Sequence, residues 1–178
     1  MNINELIRLA ETGNRDSQFR LAMCYYNGEG TIRDHSKAAY WFEKAAEQGD
    51  ATAQYNIAQC YEKAIGVPSN YSKALFWYNK AAANGDNDAV SNLGMYHCTG
   101  KGTPVNYEKA VMYWTKAAEH NNARAIFNLG ICYREGKGVA TDYDKARSLF
   151  QRAASLGHPN ARLALSQLDH FLRRFGLQ

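Results

Sequence analysis

Cysteines, histidines and glycine-paired turns are the residues of this chain whose types could do chemistry. Zinc or dithiol redox work needs thiols set close together in sequence, and Cys24, Cys60, Cys98 and Cys132 lie about a repeat apart. The expectation is four free thiols behaving as small apolar side chains. His35, His97, His120, His158 and His170 form no His-x-x-x-His spacing, and the chain has no Gly-x-Ser-x-Gly elbow. The neighbours His97 and Cys98 would point about 100° apart on a helix. Gly28-Glu29-Gly30, Gly100-Lys101-Gly102 and Gly136-Lys137-Gly138 lack the third glycine and the preceding strand of a phosphate-cradling loop. No catalytic group, metal or cofactor is therefore expected, and the chain reads as a binder and not an enzyme. Asn56, Asn92 and Asn128 are a separate case. A side-chain amide both donates and accepts, so each asparagine suits either a peptide backbone or a bond to its own neighbouring turn.

The elements that must position these residues follow from a fixed period. Blocks of 36 residues begin at Ser17, Ala53, Ala89, Ala125 and Ala161, and a period of this size marks a solenoid of stacked units. Each block opens with a helical pattern, Leu21, Ile57, Leu93 and Leu129 followed by a small residue at Ala22, Ala58, Gly94 and Gly130. Four residues beyond the Leu/Ile position stand Tyr25, Tyr61 and Tyr133, on the same helical face, with His97 in the third block. A glycine turn comes next, decayed to Ala64-Ile65-Gly66 in block two. The second helix is expected to open at Asp34, Asn70, Asn106 and Asp142, whose oxygens can cap a first turn. It carries an aromatic pair (Trp41/Phe42, Trp77/Tyr78, Tyr113/Trp114, then Leu149/Phe150) and a double alanine, and Gly49, Gly85, Asn121 and Gly157 sit where a helix ends left-handed. The small alanines, Ala82 among them, are expected to face bulky neighbours so that helices approach closely.

Composition sets outer bounds. The 178 residues are 46% hydrophobic and 21% charged, enough to bury a core and too little charge to suggest disorder. The net charge of +4 is spread among alternating signs, so no nucleic-acid partner is expected. No apolar run approaches the roughly 20 residues of a membrane span, and Met1 to Glu11 lacks the layout of a signal peptide. A cytoplasmic location is expected for the chain as written, and a periplasmic or secreted one if a leader has been removed.

Taken together, the pattern Ala-x-x-Asn-Leu-Gly, Tyr, Gly-x-Gly, Asp-Tyr-x-Lys-Ala, aromatic pair and Ala-Ala resembles the Sel1-like repeat, a relative of the tetratricopeptide repeat. Asn92-Leu93-Gly94, Asn128-Leu129-Gly130, Lys109-Ala110 and Lys145-Ala146 carry it most fully. The resemblance implies an all-α fold, a right-handed α-solenoid of antiparallel helix pairs whose first helices line a concave face. It implies one domain over 1–178: a half-repeat over 1–16, full repeats over 17–52, 53–88, 89–124 and 125–160, and a capping helix over 161–178. Adaptor work is implied too, with a partner protein or peptide held on the concave face. Cysteine-rich relatives carry two cysteines per repeat, and this chain has one. Equivalent positions in adjacent repeats lie roughly 10 Å apart, beyond the roughly 7 Å reach of a disulfide, which disfavours that secreted branch.

Repeat-invariant positions are expected to serve stacking, and variable ones on the inner face are free to encode a partner. The expected partner-binding set is Met23, Tyr26, Asn56, Gln59, Glu62, Asn92, Met95, Asn128, Ile131 and Arg134. Methionine re-packs readily against different shapes, which suits a groove floor, although a stripe at helical spacing equally describes inter-repeat packing. Phe19, Tyr55 and Phe127 are assigned to packing. The columns Lys37/Lys73/Lys109/Lys145 and Lys44/Lys80/Lys116 with Arg152 are expected on a solvated outer face. The leading expectation is an adaptor or scaffold; an inhibitor or immunity protein that blocks a toxic enzyme is the alternative. A β-lactam hydrolase, suggested by the cysteine-rich relatives, is the remote one. The helix over 161–175 is expected to cover the apolar edge of block four, or else to support self-association.

Overall fold

The computed structural model describes residues 2–177. Met1 and Gln178, the outermost residues of the expected domain, lie outside the described residues. Among the described residues every regular element is a helix. A single helix α1 (Ile3–Glu11) precedes the pair α2 (Arg15–Asn27) and α3 (His35–Glu47), then α4 (Ala51–Lys63) and α5 (Tyr71–Ala83). The pattern continues through α6 (Asn87–Thr99), α7 (Tyr107–Glu119), α8 (Ala123–Glu135), α9 (Tyr143–Ser155) and α10 (Ala161–Phe175). The chain divides into two compact units, the first ending at Ala89 and the second beginning at Val90. The first helices of the pairs open two residues ahead of the expected block starts, at Arg15 in place of Ser17, for example, which shifts the phase of the repeat and keeps its length.

Local chemistry explains the boundaries. Asp34, Asn70, Asn106 and Asp142 each accept a hydrogen bond from the backbone N–H three residues on, at 2.7–3.0 Å, as expected of second-helix caps. The first helices have matching caps that the sequence reading passed over: Asn14, Asp50, Asp86 and Asn122, at 2.7–3.0 Å. Between paired helices the turn is the same in all four repeats: the N–H of each second-helix cap donates to the carbonyl of Tyr25, Tyr61, His97 or Tyr133 at 2.8–2.9 Å. In the decayed turn Ala64 takes the left-handed conformation at φ 57°. Gly66 is retained there, and a Cβ on it would strike the His35 carbonyl. The glycine that was lost is thus the one whose conformation alanine can still adopt.

Each helix packs on the next in sequence, from α1 to α5 in the first unit and from α7 to α10 in the second. Phe19, Tyr55 and Phe127 meet Phe42, Tyr78 and Phe150 with ring centroids 5.5–5.9 Å apart, which bears out their packing role. Repeat three solves the same contact differently. Ser91 replaces the aromatic ring, the larger Trp114 fills the space and donates from Nε1 to the Ser91 carbonyl at 3.1 Å, and Gly94 leaves room where a Cβ would strike the indole.

The double alanines are not equivalent. Ala45, Ala81, Ala117 and Ala153 are fully buried, whereas Ala82 and Ala154 are half-buried. Ala82 is therefore not tightly enclosed as expected, and the requirement for smallness falls on Ala81. A side-chain amide pair, one member buried and one exposed, also recurs in the first unit. Gln18 Nε2 donates to the Ala10 carbonyl and Gln48 Nε2 to Gln18 Oε1 at 2.7 Å; Gln54 and Asn84 repeat the arrangement one block on, with Gln54 donating to the Ala46 carbonyl. In the second unit the corresponding positions are Val90 and His120, then Ile126 and Leu156, and the amide pair is not repeated.

Candidate functional site

The stripe expected to meet a partner lies along the first helix of each pair, and most of its side chains are half-buried, neither sealed in the core nor free in solvent. In the first unit these residues are dispersed. Met23 joins Ile3, Leu6, Phe19 and Arg20 around a cavity of about 300 Å³ beside α1. Tyr26 packs edge-on to His35 and Phe42, at 5.2 and 6.2 Å. Gln59 Oε1 accepts from Lys63 Nζ at 3.1 Å, and Glu62 Oε2 accepts from the Tyr78 hydroxyl at 2.7 Å.

The second unit gathers more of them. Met95, Asn128 and Ile131 line one pocket of about 100 Å³ together with Cys98, Trp114 and Cys132. Arg134 lies apart, at a cavity of about 320 Å³ shared with Tyr143, Gln167 and Phe171, and its guanidinium donates to Glu135 at 2.6 Å.

The three asparagines have three different fates. Asn56 Nδ2 donates to the Thr52 carbonyl on its own helix at 2.9 Å. Asn92 is buried, and its Oδ1 accepts from Arg124 Nη2 at 2.6 Å. The Nδ2 of Asn128 is buried and has no hydrogen-bond partner. An unsatisfied buried donor costs about 1–3 kcal/mol, so a ligand carbonyl that reached it would recover a penalty already present.

The lysine columns are more tied in than a solvated face requires. Lys37, Lys73 and Lys145 sit over the rings of Tyr25, Tyr61 and Tyr133 at 4.9–6.0 Å, joining the two helices of each pair. Lys44 pairs with Glu47 at 3.1 Å. Arg152 departs from its column: Nη2 donates to the Ala118 carbonyl and to Asn121 Oδ1, at 2.6 and 2.8 Å.

His97, in the tyrosine column, stacks on Tyr113 at 5.4 Å with its Nδ1 buried and unpartnered, while His158 stacks on Phe127 at 4.1 Å. Burial first, then the positive charge of Lys109 or Arg124, holds both imidazoles below their ordinary 6.5. For such a base the unfolded chain binds the extra proton. Its contribution is complete above about pH 6.5 and is lost as the pH falls through the lowered folded value. Stability is accordingly expected to fall as the pH is lowered below about 6.5. His97→Tyr removes one titrating group and offers Lys109 a phenol ring, so the urea midpoint of this variant is expected to depend less steeply on pH than that of the parent.

An all-helical repeat whose period, caps and turns recur four times defines a protein of the helical-repeat solenoid class. The Sel1 repeat model matches residues 15–50, 51–86, 87–122 and 123–158, and the chain belongs to the Sel1 repeat family. It is 32% identical to a Sel1 repeat protein from Oxalobacter formigenes over 92% of this chain and 65% of that one, with a TM-score of 0.84. Against a protective antigen of uropathogenic Escherichia coli with the same repeat fold, identity is 36% over 88% of this chain and 34% of that one, with a TM-score of 0.83. The chain thus spans less than two thirds of the length of either. An immunity protein of Pseudomonas aeruginosa shares the fold at 22% identity and a TM-score of 0.53, over 99% of this chain and 72% of that one. No curated protein matches the chain. Proteins with this repeat typically act as scaffolds that bind other proteins. No helix among the described residues is long and apolar enough to cross a membrane.

Proposed function

We propose that this chain is a non-enzymatic interaction scaffold that holds a partner protein or extended peptide on the half-exposed stripe of its first helices. The observation that carries the reading is the orphaned amide of Asn128, beside Met95 and Ile131 at one pocket. A peptide backbone presents carbonyls to such a donor whatever its sequence, while the variable side chains around it discriminate among sequences. The narrower reading, an inhibitor that blocks a toxic enzyme, would use the same surface. The Pseudomonas immunity proteins share the fold at 22% and 24% identity, a likeness that speaks to fold alone.

The test is affinity capture of a partner followed by calorimetry with the purified pair. Asn128→Ala is expected to weaken binding by about 0.5–1.5 kcal/mol while circular dichroism is unchanged. Asn56→Ala is expected to matter least, because its amide is already engaged on Thr52. Changing Lys44, Lys80 and Lys116 together is expected to alter little beyond the salt dependence. Binding abolished by the lysine changes and untouched by Asn128→Ala would place the partner elsewhere and end this reading. A captured toxic enzyme that loses activity on binding would favour the inhibitor.

A further inference from the structure

The thiols of the second unit do not occupy equivalent repeat positions. Cys132 stands in α8 where Cys24 and Cys60 stand in α2 and α4, whereas Cys98 lies two residues further along α6. That offset matters, because the roughly 10 Å separation of equivalent positions no longer applies to this pair. Both side chains line the same pocket of about 100 Å³, and the Met95 thioether lines it with them. Burial, then the neighbouring Cys98, pushes the Cys132 thiol up to about 11. Burial also pushes Cys98 up, against the pull of Lys137. Both cysteines are free, and neither has the lowered pKa of an activated nucleophile.

What the pocket offers is a set of soft donors. Thiolate and thioether sulfur suit Cu(I), zinc and iron–sulfur clusters, but zinc asks for four nitrogen, sulfur or oxygen ligands and a cluster for four thiolates, which leaves Cu(I) for a set of two or three sulfurs. Among the described residues no group of three or more His, Cys, Asp or Glu side chains comes together to supply a harder ion. We propose that Cys98, Cys132 and Met95 form a binding site for one Cu(I) ion. Two S–H bonds give up their protons to solvent as two S–Cu bonds form, the Met95 sulfur donates a lone pair, and copper keeps its oxidation state. The two thiolates and the ion carry a net charge of −1. The Lys137 ammonium also lines the pocket, where it is shared with Glu135 Oε2 at 2.8 Å. The site shares Met95 and its pocket with the proposed partner-binding stripe, so it is tested on the chain alone, with no partner present.

The experiment is anaerobic titration of the reduced full chain with Cu(I) supplied as its bicinchoninate complex. The chain is expected to withdraw one equivalent, develop a thiolate-to-copper charge-transfer band and lose reactivity of Cys98 toward a thiol reagent. Cys98→Ser, Cys132→Ser and Met95→Leu are each expected to lower the affinity by at least the ~10–100-fold that loss of supporting contacts alone costs a metal site. Cys24→Ser and Cys60→Ser are expected to bind as the parent does. Since Cys132 is buried, circular dichroism accompanies every variant; Cys98 and Met95 are half-buried and keep the test sound if Cys132→Ser misfolds. Copper left with bicinchoninate, equal losses in the Cys24 and Cys60 variants, or Zn(II) bound as tightly as Cu(I) would each overturn the site.

Discussion

Gly138→Ala is expected to lower the melting temperature by about 6–12 °C, the shift that roughly 3 kcal/mol produces in a chain of this size. Two costs combine. Gly138 holds φ 73°, in the left-handed region that costs an alanine about 1–2 kcal/mol. The added Cβ would also strike the backbone of Tyr107 at its carbonyl carbon and oxygen, and backbone at the start of α7 cannot swing aside as a flexible side chain can. Overpacking of this kind costs a further 1–3 kcal/mol or so. Gly157→Ala separates the two costs. It has φ 82° and nothing within 4 Å of the new Cβ, so only the conformational part, about 1–2 kcal/mol, is expected. Equal melting temperatures for the two variants would show that repeat four does not rest on Tyr107 through this turn.

Removal of residues 159–178 is expected to cause aggregation or a large fall in melting temperature. α10 buries Ala161, Ala164, Leu168 and Leu172, and it seals Ala146 and Phe150 of α9, with Phe127, Ile131 and Tyr133 packed against the same cluster. Burial of two leucines alone is worth about 3–6 kcal/mol, and a repeat whose face is uncovered has no other neighbour to bury it. Leu168→Ala and Leu172→Ala test the same contact more gently, at about 2–5 kcal/mol each, read from urea unfolding. A truncated chain as stable and monodisperse as the parent would free α10 for a partner or for self-association. Its exposed Leu163, Phe171 and Phe175 would suit either role.

The parts of the fold legible in the sequence were those decided within a few residues. A cap is a side-chain oxygen three residues from the N–H it satisfies, so Asp34, Asn70, Asn106 and Asp142 announced the second helices. The first-helix caps Asn14, Asp50, Asp86 and Asn122 use the same chemistry and were there to be read, had the block starts been placed two residues earlier. The left-handed closures at Gly49, Gly85, Asn121 and Gly157 were equally local. The half-burial of Ala82 was not legible, because periodicity gives a helix face without saying how tightly the neighbour closes over it.

The sequence by itself determined the repeat, its helix pairs and its family, because period, caps and turn residues act over short spans and recur in every copy. Only the tertiary structure decided which residues are available for binding. Asn56, Asn92 and Asn128 read alike in sequence, yet one amide is spent on its own helix, one oxygen is taken by Arg124, and one nitrogen is left buried and unpaired. Cys98 and Cys132 looked equally remote until an offset of two residues brought them to one pocket. For Asn92 the deciding contact comes from Arg124, about one repeat away, at a position held by Asp16, Thr52 and Asp88 in the other copies. A pattern that is the same in every repeat cannot specify it.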